Sequence, residues 1–406
     1  MDEKSVRKVP FYKPSLDGSD IESVRSTLED GWITTGPRAR RFEAEMAGYI
    51  GAKHALAVNS CTAALHLALA AAGIKKGDKV ITTPYTFAAS VETIIWCGAQ
   101  PVLVDIDPET LNINPSLVAK KIDRRTRGLV SVDIAGLPCE YETLVPLAKK
   151  KKLFFLADAA HSLGASYKGV KVGKLADATA FSFYSTKNLT TGEGGMLVTD
   201  NQKLHEQAAI LALHGMSKDA WKRYTSEGSW YYEIVAAGFK YNLSDLQAAL
   251  GLSQLAKFAQ LQERRKYLAG LYDRCLTPYL EMVELPPRNS HSEHAWHMYL
   301  IRIKPNVLKI NRDELLRQLS ARGIGTSVHF IPVHLHPFYR KFFGHKPTDF
   351  PHALAAYKRI FTPPFYPAMS DADVEYVCLT IGEILKDNYK RSAVSVGTKK
   401  KAELVG

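Results

Sequence analysis

At 406 residues the chain is too long for one small domain and long enough to bury a large core, so a large domain with a smaller companion is expected. Its 46% hydrophobic content is that of a soluble globular protein, and no stretch approaches the roughly 18 to 20 uninterrupted apolar residues that a membrane-spanning helix needs. The net charge of +12 attracts anions in general, but no nucleic-acid recognition motif accompanies it, and a phosphorylated cofactor or nucleotide diphosphate would use the charge equally well.

The N-terminal run from Met1 to Lys8 is charged and leads into no apolar segment, so neither a secretory signal nor a lipidation motif is visible and a cytoplasmic location is expected. From about residue 54 to 200, short apolar runs alternate with helical patterns, the signature of an α/β domain with a mainly parallel sheet. The predicted strands are His54–Val58, Lys79–Thr83, Pro101–Ile106, Gly128–Ile134, Leu153–Ala157, Ala178–Tyr184 and Gly195–Thr199. Between the first two, the alanine- and leucine-rich run from Thr62 predicts a helix that ends at Gly73. Lys149 to Lys152 close another predicted helix, where cations favour the negative end of its dipole.

A long helix is predicted from Leu243 to Leu276, linking the two domains. Beyond it, strand-like Trp296–Ile303, helical Arg312–Arg322 and strand-like Thr326–Ile331 predict a compact α+β unit ending near Tyr389. The domain plan is therefore 1–255 for the large domain with its N-terminal arm and 256–390 for the small one, with 391–406 a disordered tail. Five widely spaced cysteines (Cys61, Cys97, Cys139, Cys275 and Cys378) form no Cys-x-x-Cys pair, which argues for reduced thiols over a disulfide framework or zinc site.

Three segments carry chemistry. Asn59-Ser60-Cys61-Thr62 stands at a turn from strand to helix, where free backbone N–H groups and the helix dipole can hold a phosphate; a simple N-cap by Ser60 or Thr62 is the plainer reading. Asp158 follows an apolar strand at the edge where open α/β sheets bind ligands, and a carboxylate there can pair with a protonated pyridine nitrogen. His161, three residues on, could hydrogen-bond a ring oxygen. Finally, the β-run Phe181–Tyr184 meets Lys187 and then the glycine-rich Gly192-Glu193-Gly194-Gly195, which lets a desolvated amine reach back over the sheet edge.

In this order these residues resemble the DegT/DnrJ/EryC1/StrS family of sugar aminotransferases, fold-type I enzymes dependent on pyridoxal phosphate (PLP). The similarity runs from about Pro10 to Leu385 and includes Gly31 to Pro37, Asp158 to His161, Ser182 with Lys187, Tyr241-Asn242-Leu243, and Gly323 to Gly325 leading to His329. Within the family the chain resembles the aminotransferases of UDP-4-amino-4-deoxy-arabinose and of pseudaminic-acid synthesis.

The resemblance implies that Lys187 bonds the PLP aldehyde and moves the proton, that Asp158 pairs with the pyridine nitrogen and that His161 lies beside the ring oxygen. It further implies that Phe87 stacks on the ring, and that Cys61, Thr62, Ser182 and the partner subunit's Asn242 hold the phosphate in a homodimer with shared active sites. Trp32, Ile33, Thr34 and His329 match positions used toward the nucleotide sugar. Glutamate would leave as 2-oxoglutarate, with pyridoxamine phosphate (PMP) between the two halves of the exchange. The product would be an amino sugar for surface polysaccharide or lipid A.

Two positions depart from the family pattern: Ala157 stands where glutamate is common, and Cys61 where alanine or glycine is usual. The first points to the opposite strand face and the second still supplies a backbone amide. A related PLP-dependent sugar dehydratase resembles a version with histidine at the lysine position, which Lys187 contradicts; a non-catalytic regulatory protein would keep the pocket without turnover. His329, His334 and His336 lack acidic or cysteine partners, so no metal is expected.

Overall fold

The seven predicted strands all form, and all enter one sheet. In the computed structural model, which describes residues 7–217 and 231–390, they are β1 His54–Val58, β2 Lys79–Thr82, β3 Gln100–Leu103, β4 Thr126–Val132, β5 Phe154–Asp158, β6 Ala178–Ser182 and β7 Gly195–Thr199. Their order across the sheet is β1-β7-β6-β5-β4-β2-β3. β7 runs antiparallel to both its neighbours and every other pairing is parallel, so the carboxyl ends of β1, β5 and β6 share one edge with the start of β7.

Strands covered on both faces read as continuous apolar runs, and adjacent residues of one strand here enter different cores. Ile81, Leu129, Phe155 and Met196 join Phe42 and Met46 of the helix Pro37–Ile50 on one side. Val80, Val130, Leu156 and Leu197 join Leu65 and Leu69 of the helix Cys61–Ala71 on the other. Several predicted strands overran their true ends. The apolar run of β4 continues to Ile134, but Ile134–Gly136 is a short 3-10 turn, because the chain has already left the sheet edge.

The long helix predicted from Leu243 to Leu276 is two helices, Asp245–Ala256 and Phe258–Leu276, broken at Lys257. Ser244 caps the first with a capping box. Lys257 turns its ammonium to Asp17, at 2.7 Å, and to the buried Asp20, which anchors the break against the start of the N-terminal helix Gly18–Glu29. Phe258 packs in the first core, while Leu268, Tyr272 and Leu276 of the same helix belong to a second.

That second core includes Ile301, Leu315, Leu319, Phe361 and Val374, under a three-stranded antiparallel sheet of Val283–Glu284, Ile301–Ile303 and Ile360–Phe361. Val9 of the N-terminal arm also lies in it, through a parallel bridge to Ile324.

Two strand predictions need correction here. Only Ile301–Ile303 of Trp296–Ile303 is a strand; Ala295 and His297 instead donate their N–H groups to the carbonyls of Gly136 and Ala135, which draws that stretch to the sheet edge. Thr326–Ile331 forms no strand and keeps a single bridge, Ser327 to Thr362, because its second half turns to the same edge. The tail 391–406, expected to be disordered, lies outside the described residues. Among the described residues no helix is long and apolar enough to cross a membrane.

Candidate active site

The carboxyl edge of the sheet opens into a cavity of about 380 Å³. Lys187, Asp158, His161 and Ser182 line it, as do Cys61, Thr62, Phe87 and His329.

β1 ends at Val58 and the chain turns through Asn59 and Ser60 into the helix Cys61–Ala71. Ser60 Oγ accepts the Ala63 N–H at 3.1 Å and caps this helix. The amides of Cys61 and Thr62, in the first turn, have no intrahelical acceptor to reach. Gly195, at the start of β7, backs against the turn: a Cβ there would lie 2.4 Å from the Ser60 carbonyl carbon and 2.5 Å from Cys61 N. Only glycine permits that approach.

Asp158 closes β5 and is 6% exposed. Its Oδ2 accepts the Ser90 hydroxyl at 2.6 Å and its Oδ1 the Ala160 N–H at 3.2 Å. With its one proton used on Asp158, Ser90 accepts from Thr86 Oγ1 at 2.7 Å. Burial pushes the Asp158 carboxyl above its ordinary value, while Ser90, Ala160 and the Lys187 charge pull it down.

Lys187 sits in the turn after β6, its N–H donating to the Tyr184 carbonyl at 2.9 Å. Burial lowers its amine from 10.5 to about 8, opposed by Cys61 and Asp158. The Cys61 thiol is itself pushed well up, by burial and then by Asp158, which leaves the Asp158 carboxyl as the stronger acid beside the amine. Three histidines share the cavity: His161, His297 and His329. Burial and then the Lys187 charge depress all three, His329 to about 4, so they are neutral at physiological pH.

Phe87 is 65% exposed at the rim, with its ring 6.3 Å from that of Phe330, which rules out ordinary core packing for it. Asn242, Trp32, Ile33 and Thr34 are not among the residues lining this chain's cavity. They form a patch joined to the end of β1 by the bridge of Asn242 to Val58, in which Asn242 Nδ2 donates to Thr35 Oγ1 at 2.6 Å and the Asp245 N–H to the Thr34 carbonyl at 3.1 Å; Trp32 and Ile33 are exposed on it. His334 is buried against Phe350 and the Pro347 carbonyl, away from His329, and no group of three or more metal-ligating side chains occurs among the described residues.

Sequence reading missed Ser90, Asn188, His297 and Phe330. Ser90 lies three residues after Phe87 and Asn188 is the neighbour of Lys187, so proximity to known candidates was a usable signal for both. Nothing local marked His297, which reaches the cavity from more than a hundred residues downstream of Lys187.

The profile of the DegT/DnrJ/EryC1/StrS aminotransferase family matches residues 14–382. The chain belongs to this family. Among DegT/DnrJ/EryC1/StrS relatives and similar proteins, an uncharacterized protein of Methanocaldococcus jannaschii is 49% identical, covering 94% of this chain and 98% of its own length. The spore coat polysaccharide biosynthesis protein SpsC of Bacillus subtilis is 47% identical, with 93% and 97% covered. Spr1654 of Streptococcus pneumoniae, solved in a PMP form, superposes with a TM-score of 0.88 at 32% identity, covering 94% of this chain and 100% of that one. PseC of Helicobacter pylori, an aminotransferase involved in the biosynthesis of pseudoaminic acid, does so at 0.87 and 30%, again over 94% and 100%.

Proposed function

We propose that this chain is a PLP-dependent aminotransferase that moves the amino group of glutamate onto a nucleotide-linked, UDP-borne 4-keto sugar, making an amino sugar for surface polysaccharide or lipid A. The observation that carries the reading is a lysine amine brought to about 8 in the same cavity as a buried, hydroxyl-bonded carboxylate. Relatives named for sugar, polysaccharide and PMP chemistry support it.

The residues fit the cofactor on three counts. The Cys61 and Thr62 amides, with Ser182 nearby, offer a phosphate seat, in a turn whose backbone Gly195 backs against without a side chain. Asp158, with the Ser90 hydroxyl and the Ala160 N–H favouring its charged form, can pair with a protonated ring nitrogen. The exposed Phe87 ring lies at the rim, free to stack on a flat ligand. When bound, PLP supplies an electron sink for the carbanion formed where the amine is exchanged.

Lys187 then has two tasks. As a neutral amine it would hold the cofactor through its aldehyde, and it would move the proton at the carbon that loses or gains nitrogen, a role suited to a group titrating near working pH. His161 accepts the Ala135 N–H on Nδ1 at 3.3 Å, so its Nε2 carries the hydrogen and can donate to a ring oxygen. Asn242 with the Trp32–Thr34 patch serves the active site of a second copy in a homodimer, His329 and that patch facing the nucleotide sugar.

Lys187→Ala protein, given PLP, glutamate and a panel of nucleotide keto sugars, should form amino sugar at least about a thousandfold more slowly than the parent. Product identification by mass spectrometry checks this. Turnover near the parent's rate would remove Lys187 from its role, and no amination of any keto sugar by the parent would remove the sugar assignment.

A further inference from the structure

His297 has no part in the roles given so far, yet its ring lies 4.6 Å from that of His161 on the cavity wall. Its protonation is fixed by a chain of groups that can only accept. The Ala295 carbonyl stands 2.7 Å from Asn188 Nδ2, and a carbonyl donates nothing, so that atom is the NH2 of the amide. Gln262 Oε1, at 2.9 Å, takes the second hydrogen. Asn188 Oδ1 therefore faces His297 Nδ1, at 3.2 Å, and can only accept from it. His297 thus carries its hydrogen on Nδ1 and a bare lone pair on Nε2. That nitrogen has no partner among the described residues.

His161 is fixed the opposite way, since a backbone N–H holds its Nδ1 and leaves Nε2 as a donor. Two adjacent rings in one cavity wall therefore present one donor and one acceptor. The cations that bear on His297 are Lys187 and, behind it, Arg265, whose Nη1 donates to the His297 carbonyl at 3.3 Å. A carboxylate would meet the lone pair with repulsion, whereas a neutral O–H satisfies it.

We propose that His297, held by Asn188, is a specificity-determining residue that accepts the hydroxyl on the carbon next to the one that exchanges its nitrogen. The proposal rests on the sugar-aminotransferase reading. His297 and Lys187, the group that handles the proton at the reacting carbon, line one cavity of about 380 Å³, so a ligand held at Lys187 can bring a hydroxyl of an adjacent carbon to Nε2. Because burial keeps its ring neutral, His297 acts here as an acceptor and leaves proton transfer to Lys187.

The test has two arms. In the ligand-free protein labelled with 15N-histidine, a long-range 15N–1H correlation spectrum, assigned with His297→Phe, should show hydrogen on Nδ1 only, and Asn188→Ala should mix the tautomers. In the second arm, keto sugars with hydroxyl, hydrogen or fluorine on the neighbouring carbon are compared by kcat/KM. The parent should favour the hydroxyl by about tenfold or more, the scale of one hydrogen bond. His297→Phe should erase that preference, and His297→Gln, whose amide oxygen can accept, should retain most of it.

Hydrogen on Nε2, no hydroxyl preference in the parent, or a preference intact in His297→Phe would each overturn the proposal. So would a change confined to the pH profile of Lys187, which would make the amine the occupant. If the parent consumes glutamate but aminates no keto sugar, the sugar reading falls and this proposal with it. If it aminates all three analogues equally, only the proposal falls.

Discussion

The Lys187 amine titrates near 8 because few water molecules reach it, and two consequences have opposite settings on the pH scale. Capture of an aldehyde needs the neutral amine, so binding of PLP to ligand-free protein should speed up about tenfold per pH unit below about 8 and level off above. Stopped-flow absorbance reads this, and a rate flat from pH 7 to 9 would contradict the shift. Folding responds differently. The folded amine gives up its proton at about 8 and the unfolded one near 10.5, so between those values the unfolded chain binds more protons and stability rises with pH. Below about 8 both states are protonated and the cost of the buried charge is fully felt.

Asp158 shows the same physics with a counterweight. Burial favours its neutral form, and the hydroxyl of Ser90 favours the anion. Ser90→Ala should leave the carboxylate short of one charge-assisted bond, worth about 2 kcal/mol, and weaken PLP binding by roughly tenfold or more. Ser90→Thr, which keeps the hydroxyl, should bind near the parent's level. Equilibrium titration followed by absorbance compares the three, and equal affinity for Ser90→Ala would assign Ser90 to packing alone.

Among elements, the phosphate turn and β7 depend on each other. The Gly195→Ala Cβ would press on the backbone of Ser60 and Cys61, which no side-chain rotation relieves. Loss of about 1 to 3 kcal/mol in thermal or denaturant unfolding is expected, together with weaker PLP binding. Gly192→Ala is the control: Gly192 has φ +78° with open space around its Cβ position, so a cost of about 1 kcal/mol should come without loss of PLP affinity. Equal PLP affinity in both variants would separate β7 from the turn. The break at Lys257 follows the same logic, with an ammonium fixed by Asp17 and Asp20 deciding where one helix becomes two.

For the whole molecule, the patch of Trp32, Ile33, Thr34 and Asn242 does not line the cavity of its own chain. We propose that it completes the cavity of a second copy. Lys187→Ala and Asn242→Ala chains, each near inactive alone, should regain activity when unfolded, mixed and refolded, because mixed dimers contain one intact site. No recovery, with mixed dimers verified by native mass spectrometry, would place Asn242 in its own chain's site or in none. We also propose the boundary at 255/256 between the large and small domains; the break at Lys257 supports it, as does the second core, which apart from Val9 is built from Leu268 onward.

The seven strands and the helix Cys61–Ala71 were legible because elements buried in the core leave continuous apolar runs bounded by turns, and those runs depend only on neighbours in sequence. Lys187, Asp158 and the Cys61–Thr62 turn were legible for the same reason, each lying at the end of such a run. Sequence could not give the ends of β4 or the break at Lys257, where the apolar or helical pattern continues and a distant contact stops it. Nor could it give the tautomer of His297 or the hydroxyl behind Asp158. Those are settled by the Ala295 carbonyl, Asn188 and Ser90, groups far apart in the chain that meet only when the sheet edge closes around one cavity.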